Sequence, residues 1–576
     1  MTRKVIGQML AAQIFSALTV SLCLLIDNVM INRFLGMQAI AAYELANPVL
    51  LAIGAVASVL SAGVQVACSR SLGSGSQEET NRAYSTAILI VLAFSLPFMV
   101  LILTLRGPIA SLLGAGKSDE LFLHTKDYLA GFVIGAPATM AALSLIPFLQ
   151  MAGKSTLLIV AVLGMTVSDV VLDLLNVLVF HGGMFGMGLA SSLSYYIALG
   201  ISLIYFLSKK CIFRFSWKRV SRKKAAELFR GGAPGAFTMV SGVLIVLVMN
   251  FLLLHAGGEE AVAAFAIISG ILNAANSVST GFNGVTLTLA GVLFSEEDRG
   301  GLQRLLKSLI RFALVIGALA CVALFLAAPA VVGLFQSDPG PTRDMAVLGV
   351  RMAALGLLPC CLVNIAKSWF QATGRIPLMG TVAVLEGFLL PALAAWALSA
   401  LWGMKGVWLY FAIGQSLTGF FILLYVFIQR RRGESSVFSS SFGVRPEDAM
   451  EVKITSLEQA VEVSRQAEDF CKAHGCSGHF AGRIALCIEE MATNTVQHGF
   501  RPGASNYLSV RVQCKGNRWT LRFRDDCRAF DPVAYVPQGD DQTKYLGIRM
   551  VMGMADDVRY TYSLNLNNLT ILLNAA

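Results

Sequence analysis

Before residue 430 the chain is built from about twelve runs of roughly twenty apolar residues, the length a helix needs to cross a bilayer. Their centres fall near residues 20, 55, 93, 138, 168, 197, 244, 275, 320, 358, 390 and 417. Short turns rich in Gly, Pro and charge separate them. After residue 450 the pattern changes to short strands and amphipathic helices. Met450 to Thr455 predicts a strand, and Leu457 to Ala473 and Gly482 to His498 predict helices. Leu508 to Gln513 and Arg518 to Arg524 predict a hairpin about Gly516 and Asn517. Leu546 to Ala555 predicts a further helix, with closing strands to Leu573. The fold class is therefore a polytopic α-helical membrane protein of about twelve spanning helices followed by a small cytoplasmic α+β domain.

Composition agrees. The 576 residues are 56% hydrophobic and 14% charged, and mean hydropathy is +0.67. As the main body of the chain, an ordinary soluble enzyme, a disordered chain and a nucleic-acid-binding domain are excluded. The 11 cysteines are scattered and suggest no disulfide-stapled secreted domain. The net charge of +10 lies wholly before residue 451, because residues 451–576 carry fourteen basic and fourteen acidic side chains. Lys209 to Arg230 holds nine basic residues against Glu227, and Arg430, Arg431 and Arg432 follow the last span. Positive loops face the cytoplasm, so the chain is expected to be multi-pass in the cell membrane with both termini inside. The first span begins almost at Met1 with no cleavage site behind it, so it reads as a spanning segment rather than a signal peptide.

The membrane part repeats itself. Gly36 to Tyr43 (GMQAIAAY) aligns with Gly258 to Phe265 (GEEAVAAF), Gln150 to Gly153 (QMAG) with Gln371 to Gly374 (QATG), and Gly183 to Gly186 (GMFG) with Gly403 to Gly406 (GMKG). The offsets are 222, 221 and 220 residues. Two six-helix bundles in the same orientation follow, the arrangement in which transporters bind substrate between halves and rock them. The expected boundaries are a first bundle at 1–208, a basic cytoplasmic loop at 209–230, a second bundle at 231–432, a Ser/Gly-rich linker at 433–449 and the α+β domain at 450–576.

With these repeats, Asp27 in the first span, Gly36 and the Ala41-Ala42 pair after it, the Gly turns after spans four and ten, and Leu172-Asp173 ahead of the GMFG turn, residues 5–430 resemble the multidrug and toxic compound extrusion (MATE) family. The resemblance implies an antiporter that expels organic, often cationic, compounds in exchange for H⁺ or Na⁺. An acid in the bilayer core costs roughly 2.5–3.5 kcal/mol on insertion scales, so one that persists invites a functional reading. Asp27 sits in the apolar run Leu22 to Ile31 beside Asn28, and the family places an acid there. The second half has Met249 and Asn250 instead. Asp169, Asp173 and Asn176 recur at helical spacing on span five, where they either line a cavity or cap the helix. Lys367 and Glu386 are opposite charges on neighbouring spans, a structural pair or a coupling site. Glu44 beside Asn47 and Pro48 is a further candidate. The methionines are read as packing residues.

In the tail, Glu490 and Asn494 share one helical face in the run EEMATNTVQHG, where a carboxylate can orient a reacting oxygen and an amide oxygen can hold Mg²⁺. Asp525 follows a strand, and Leu546-Gly547-Ile548 opens a helix of the kind that favours phosphate. These motifs resemble the anti-sigma-factor serine kinases of the GHKL ATPase fold, over nearly all of 450–576. The resemblance implies Mg-ATP as cofactor, with Glu490 as base, Asn494 as magnesium ligand, Asp525 reading the adenine amino group and Gly547 in the phosphate turn. It also implies an anti-sigma or anti-anti-sigma type protein partner. Cys527 and Tyr545 stand where the family has Gly, which weakens nucleotide binding and weakens phosphotransfer further. Cys471, His474, Cys476 and His479 lie close together at a spacing that suits no common zinc site.

Three functions follow from these residues: a cation-coupled exporter of organic compounds with a nucleotide- or partner-binding tail, a membrane-tethered signalling ATPase or kinase, and a flippase for lipid-linked intermediates. The first is best supported, by the twin repeat, Asp27 in its apolar run and the tail motifs, and the flippase ranks third because the spans contain few basic residues, chiefly Lys367. Expected partners are a small organic substrate and membrane lipid, and no nucleic acid.

Overall fold

The computed structural model describes the chain except for residues 1–2, 74–75, 116–117, 210, 336–338, 432–442, 502–505, 535–545 and 576. The side chains of Asn28, Glu44 and Arg430 also lie outside the described residues, as do Lys210, Arg432, most of the Ser/Gly-rich linker and Tyr545.

Among the described residues seven α-helices form the first half: α1 Arg3–Leu35, α2 Met37–Gly73, α3 Gln77–Leu112, α4 Asp119–Val133, α5 Ala136–Met151, α6 Ser155–Leu175 and α7 Gly183–Phe206. The second half holds α8 Arg222–Ala275, α9 Ser277–Ser295, α10 Arg299–Gly333, α11 Pro341–Ala354, α12 Leu357–Ala372, α13 Ile376–Val384, α14 Leu390–Trp402, α15 Met404–Val407 and α16 Tyr410–Arg431. Gly258 breaks α8 with φ 68°, so its two arms belong to two separate crossings. Nine helical stretches among the described residues are long and apolar enough to span a membrane, or eleven when the pairs α4–α5 (bent by 44°) and α11–α12 (bent by 47°) each count as one. α1 adds the apolar stretch Val5–Ser21. Each expected centre falls in one of these rods. On α10, Val315, Leu319, Val322 and Leu326 are all exposed at helical spacing, a stripe that suits hydrocarbon as solvent.

The repeated motifs have a backbone cause. Gly36 and Gly258, Gly153 and Gly374, and Gly183 and Gly403 all take positive φ, between 58° and 89°. Glycine alone adopts that region freely, so each half needs it at the same three turns. The halves meet where α2 packs on α8 and where α1 and α2 pack on α9. Across that seam Gln65 Nε2 donates to the Gly284 carbonyl at 2.7 Å and to Thr288 Oγ1 at 2.5 Å.

The tail is a five-stranded antiparallel sheet in the order β1-β2-β3-β5-β4, with β1 Ala449–Ile454, β2 Leu508–Lys515, β3 Arg518–Asp525, β4 Asp557–Ser563 and β5 Leu566–Asn574. Helices α17 Leu457–Ala473, α18 Gly478–Asn494 and α19 Leu546–Met554 belong to the same domain, and the first two pack together. α18 starts four residues before the expected Gly482, because Ser477 caps it by accepting from Phe480 N at 3.3 Å. It closes in a five-residue π turn, Thr495–Gly499. Strand β2 alternates Leu508, Val510 and Val512 with Ser509, Arg511 and Gln513, and Leu508, Val510 and Val512 enter the core with Ile484, Ile488, Leu521 and Ile571. The polar positions are buried as well. They face the membrane part. Arg524 Nη2 reaches Glu296 Oε1 at 2.5 Å, Arg522 Nη1 reaches Glu296 Oε2 at 3.3 Å, and Lys515 Nζ reaches Glu297 Oε1 at 2.6 Å. Arg511 pairs with Asp298. These three acids form the turn between α9 and α10.

Candidate functional site

Asp169 and Asp173 lie four apart on α6, which puts both on one face. That face packs on α1, which presents Asp27. The three side chains are 5%, 3% and 0% exposed, and an oxygen from each lies within 4.8 Å of the others. Asp27 Oδ1, Asp169 Oδ1 and both oxygens of Asp173 have no hydrogen-bond partner among the described residues. Two full charges at 4.8 Å repel by about 3.5 kcal/mol at an effective dielectric near 20. Three bare carboxylates in an apolar wall are therefore unstable without protons or a cation between them. An all-oxygen donor set suits a hard cation. Tyr128, fully buried, stands near this wall and meets Tyr43 edge-on at 5.3 Å between ring centres.

The other expected residues fall elsewhere. Asn176 lies just beyond α6, where its amide donates to the Gly183 carbonyl at 3.1 Å and braces the α6–α7 turn. Asn250 is half-buried on α8. Lys367 on α12 and Glu386 in the π turn Leu385–Leu389 form a direct ion pair in which each side chain is only 6% exposed. They line a separate cavity of about 360 Å³ in the second half, with Asn276, Ser279, Asn364 and Gln415. Glu386 is thus not part of the Asp27 cluster.

In the tail, a cavity of about 460 Å³ opens between the end of α18 and strands β3 to β5. Asn494 and Asp525 line it, along with Phe530, Tyr560 and Asn567. Asp525 Oδ1 accepts from Asn567 Nδ2 at 2.7 Å and from Cys527 N at 3.0 Å. Burial pushes its carboxyl above the ordinary range, against the lowering pull of those two donors. The buried acceptor and the open cavity fit the amino-purine end of a nucleotide. The other end fits less well. Glu490 is packed against Gly547 so closely that a Cβ there would overlap its carboxylate. Cys527 presses on Gly499, whose Cβ would come within 2.9 Å of its sulfur. Neither Glu490 nor Gly547 lines the cavity. Sequence reading missed Asn567, which carries no signal beyond a polar residue in an apolar strand. It equally missed Glu296 and Asp298, which read as an ordinary acidic turn.

Comparison with known proteins places this geometry. A family model described as MatE matches residues 12–175 and 234–396, the two halves in turn. A second, described as Histidine kinase-like ATPase domain, matches residues 455–572. Multidrug export protein MepA of Staphylococcus aureus (strain bovine RF122 / ET3-1) is 24% identical over 397 residues, covering 68% of this chain and 86% of that protein. The FAD transporter of Shewanella oneidensis (strain MR-1) is 26% identical over 421 residues, covering 70% and 90%. Among solved structures, a MATE in complex with MaL6 superposes with TM-score 0.69 at 20% identity, covering 75% of this chain and 96% of that one. An outward-facing multidrug resistance MATE family transporter of the MOP superfamily superposes with TM-score 0.67 at 20% identity, covering 75% and 95%. Two matched halves, with the three acids on the first of them, make this chain a member of the MatE family that carries a histidine kinase-like ATPase domain behind its membrane part.

Proposed function

We propose that the chain exports organic compounds by cation-coupled antiport, and that the tail binds Mg-ATP and regulates the transporter. The carrying observation is the buried trio Asp27, Asp169 and Asp173: one oxygen of each lies within 4.8 Å of the others, and each residue has an oxygen with no hydrogen-bond partner among the described residues. Such a site holds H⁺ or Na⁺ at rest, because its own repulsion is relieved only by positive charge. A cationic guest near the trio offers the same relief, so the two compete, and competition at one site is the essence of exchange. Rocking of the two halves about the α1, α2, α8 and α9 seam would open the site to one side of the membrane at a time. MepA is named as a multidrug export protein and the Shewanella relative as an FAD transporter, so transport of organic molecules is the shared theme and the MepA likeness supports export. The basic 209–230 loop puts both termini in the cytoplasm under the positive-inside rule.

In the tail, Asp525 would accept from the adenine amino group and Asn494 would hold Mg²⁺. ATP supplies a charged, exchangeable ligand there. Glu490, held on Gly547, is poorly placed to act as a base, which favours sensing over phosphotransfer.

The test compares ethidium efflux by wild type and Asp27→Asn in cells lacking other pumps. Wild type is expected to clear the dye and Asp27→Asn to fall to background. Equal efflux would remove the trio from the mechanism.

A further inference from the structure

We infer that the β4–β5 hairpin of the tail is a wedge that locks the two membrane halves together at the tail-bearing end, and that it is released when Asp525 engages a nucleotide. This rests on reading the tail cavity as a nucleotide site.

The hairpin turn is strained. Ser563 pairs with Leu566, and the two residues between them, Leu564 and Asn565, take φ 56° and 59°. A two-residue turn of this kind prefers Asn-Gly, and a leucine there is out of place unless something outside the turn holds it. Here Leu564 leaves its own domain. It is 4% exposed and joins an apolar cluster with Ile6, Met9 and Leu10 of α1 and Phe282 of α9. Its backbone N–H donates to the Met151 carbonyl at 2.7 Å. Asn565 Nδ2 donates to the Gly153 carbonyl at 3.0 Å. The first half is thus bonded at its α5–α6 turn. The second half is bonded at its α9–α10 turn, through Glu296 and Asp298 to Arg522, Arg524 and Arg511 of the same sheet. One sheet therefore clamps both halves at one end. Halves that must separate there to open cannot do so while both grips hold.

The same hairpin carries the cavity's hub. Asn567 follows Leu566, the residue that closes the turn. Its amide N–H₂ donates to Asp525, and its oxygen accepts from Tyr560 OH at 2.6 Å and Phe530 N at 3.2 Å. An adenine amino group that takes Oδ1 of Asp525 competes with Asn567 for that oxygen, and β5 then loses this side-chain tie to β3 beside the residue that closes the turn. Coupling between two sites is reciprocal, so loss of the wedge must tighten nucleotide binding.

The experiment uses the full chain and the variant Leu564→Gly. Glycine suits positive φ, so the turn relaxes and the tail folds while the wedge side chain is gone. Calorimetry with Mg-ATP is expected to show about fivefold or tighter binding by the variant, the low end of ordinary allosteric coupling. Hydrogen exchange at the Leu564 amide of wild type is expected to rise on adding Mg-ATP. Equal affinities with unchanged exchange overturn the wedge and leave the nucleotide site standing. Absence of Mg-ATP binding by either chain overturns the nucleotide reading and the release with it.

Discussion

Glu296→Ala should detach the tail from the membrane part. Glu296 is 7% exposed and lies between two guanidiniums, Arg524 at 2.5 Å and Arg522 at 3.3 Å. At an effective dielectric near 20, unit charges 3.3 Å apart attract by about 5 kcal/mol. The wild-type pair returns much of that as desolvation cost. The variant keeps the cost and loses the attraction, since two arginines stay buried with no acid between them. Removing one partner from such a site costs about 3–5 kcal/mol, which lowers the ratio of docked to undocked tail by about two to almost four powers of ten. Hydrogen exchange at the Leu564 amide of the full chain, which donates across to the Met151 carbonyl, reads docking directly. Its protection should collapse in Glu296→Ala, while the amides of β2 and β3, bonded within the sheet, keep most of theirs. The combined variant Glu296→Met, Arg522→Leu, Arg524→Met should dock again, because a well-packed apolar replacement removes the unpaired charge. Wild-type protection in Glu296→Ala would refute the claim that this acid anchors the sheet.

Gly153→Ala tests the other grip: at φ 70° alanine costs about 1–2 kcal/mol, and its Cβ meets Asn565, so exchange at the hairpin tip should speed up while β2 and β3 stay protected. Docking should also fail in acid. Burial alone would raise the Asp298 carboxyl, but Arg511 and the Gly301 N–H outweigh it and hold it below the ordinary range. A carboxyl lowered in the docked state contributes fully above its ordinary value of about 3.9 and loses that contribution as pH falls through its own lower value. Protease protection of the tail should therefore be flat through neutrality and drop below about pH 4, with Asp298→Asn weaker throughout and lacking this acid limb.

Much of the membrane part was legible because hydrocarbon is an undemanding solvent: it asks only for length and apolarity, and a run of twenty such residues declares itself. The twin glycine turns were readable for a related reason, since positive φ restricts the residue to one type wherever it recurs. Asp27, Asp169 and Asp173 announced themselves as acids in apolar helices. Their meeting did not, for nothing in either helix states that α1 packs on α6. Glu386 shows the converse: it shared the same signature and yet sits in another cavity, paired with Lys367.

The tail divides in the same way. Alternation in β2 and β3 determined strands with one apolar face, and stated nothing about what covers the polar one. Only the assembled chain buries that face, against Glu296 and Asp298, because charge complementarity between surfaces far apart in sequence has no local period to betray it. Leu564 is the extreme case. By itself it is an unsuitable residue in a tight turn, and its reason exists only in the groove of a different domain.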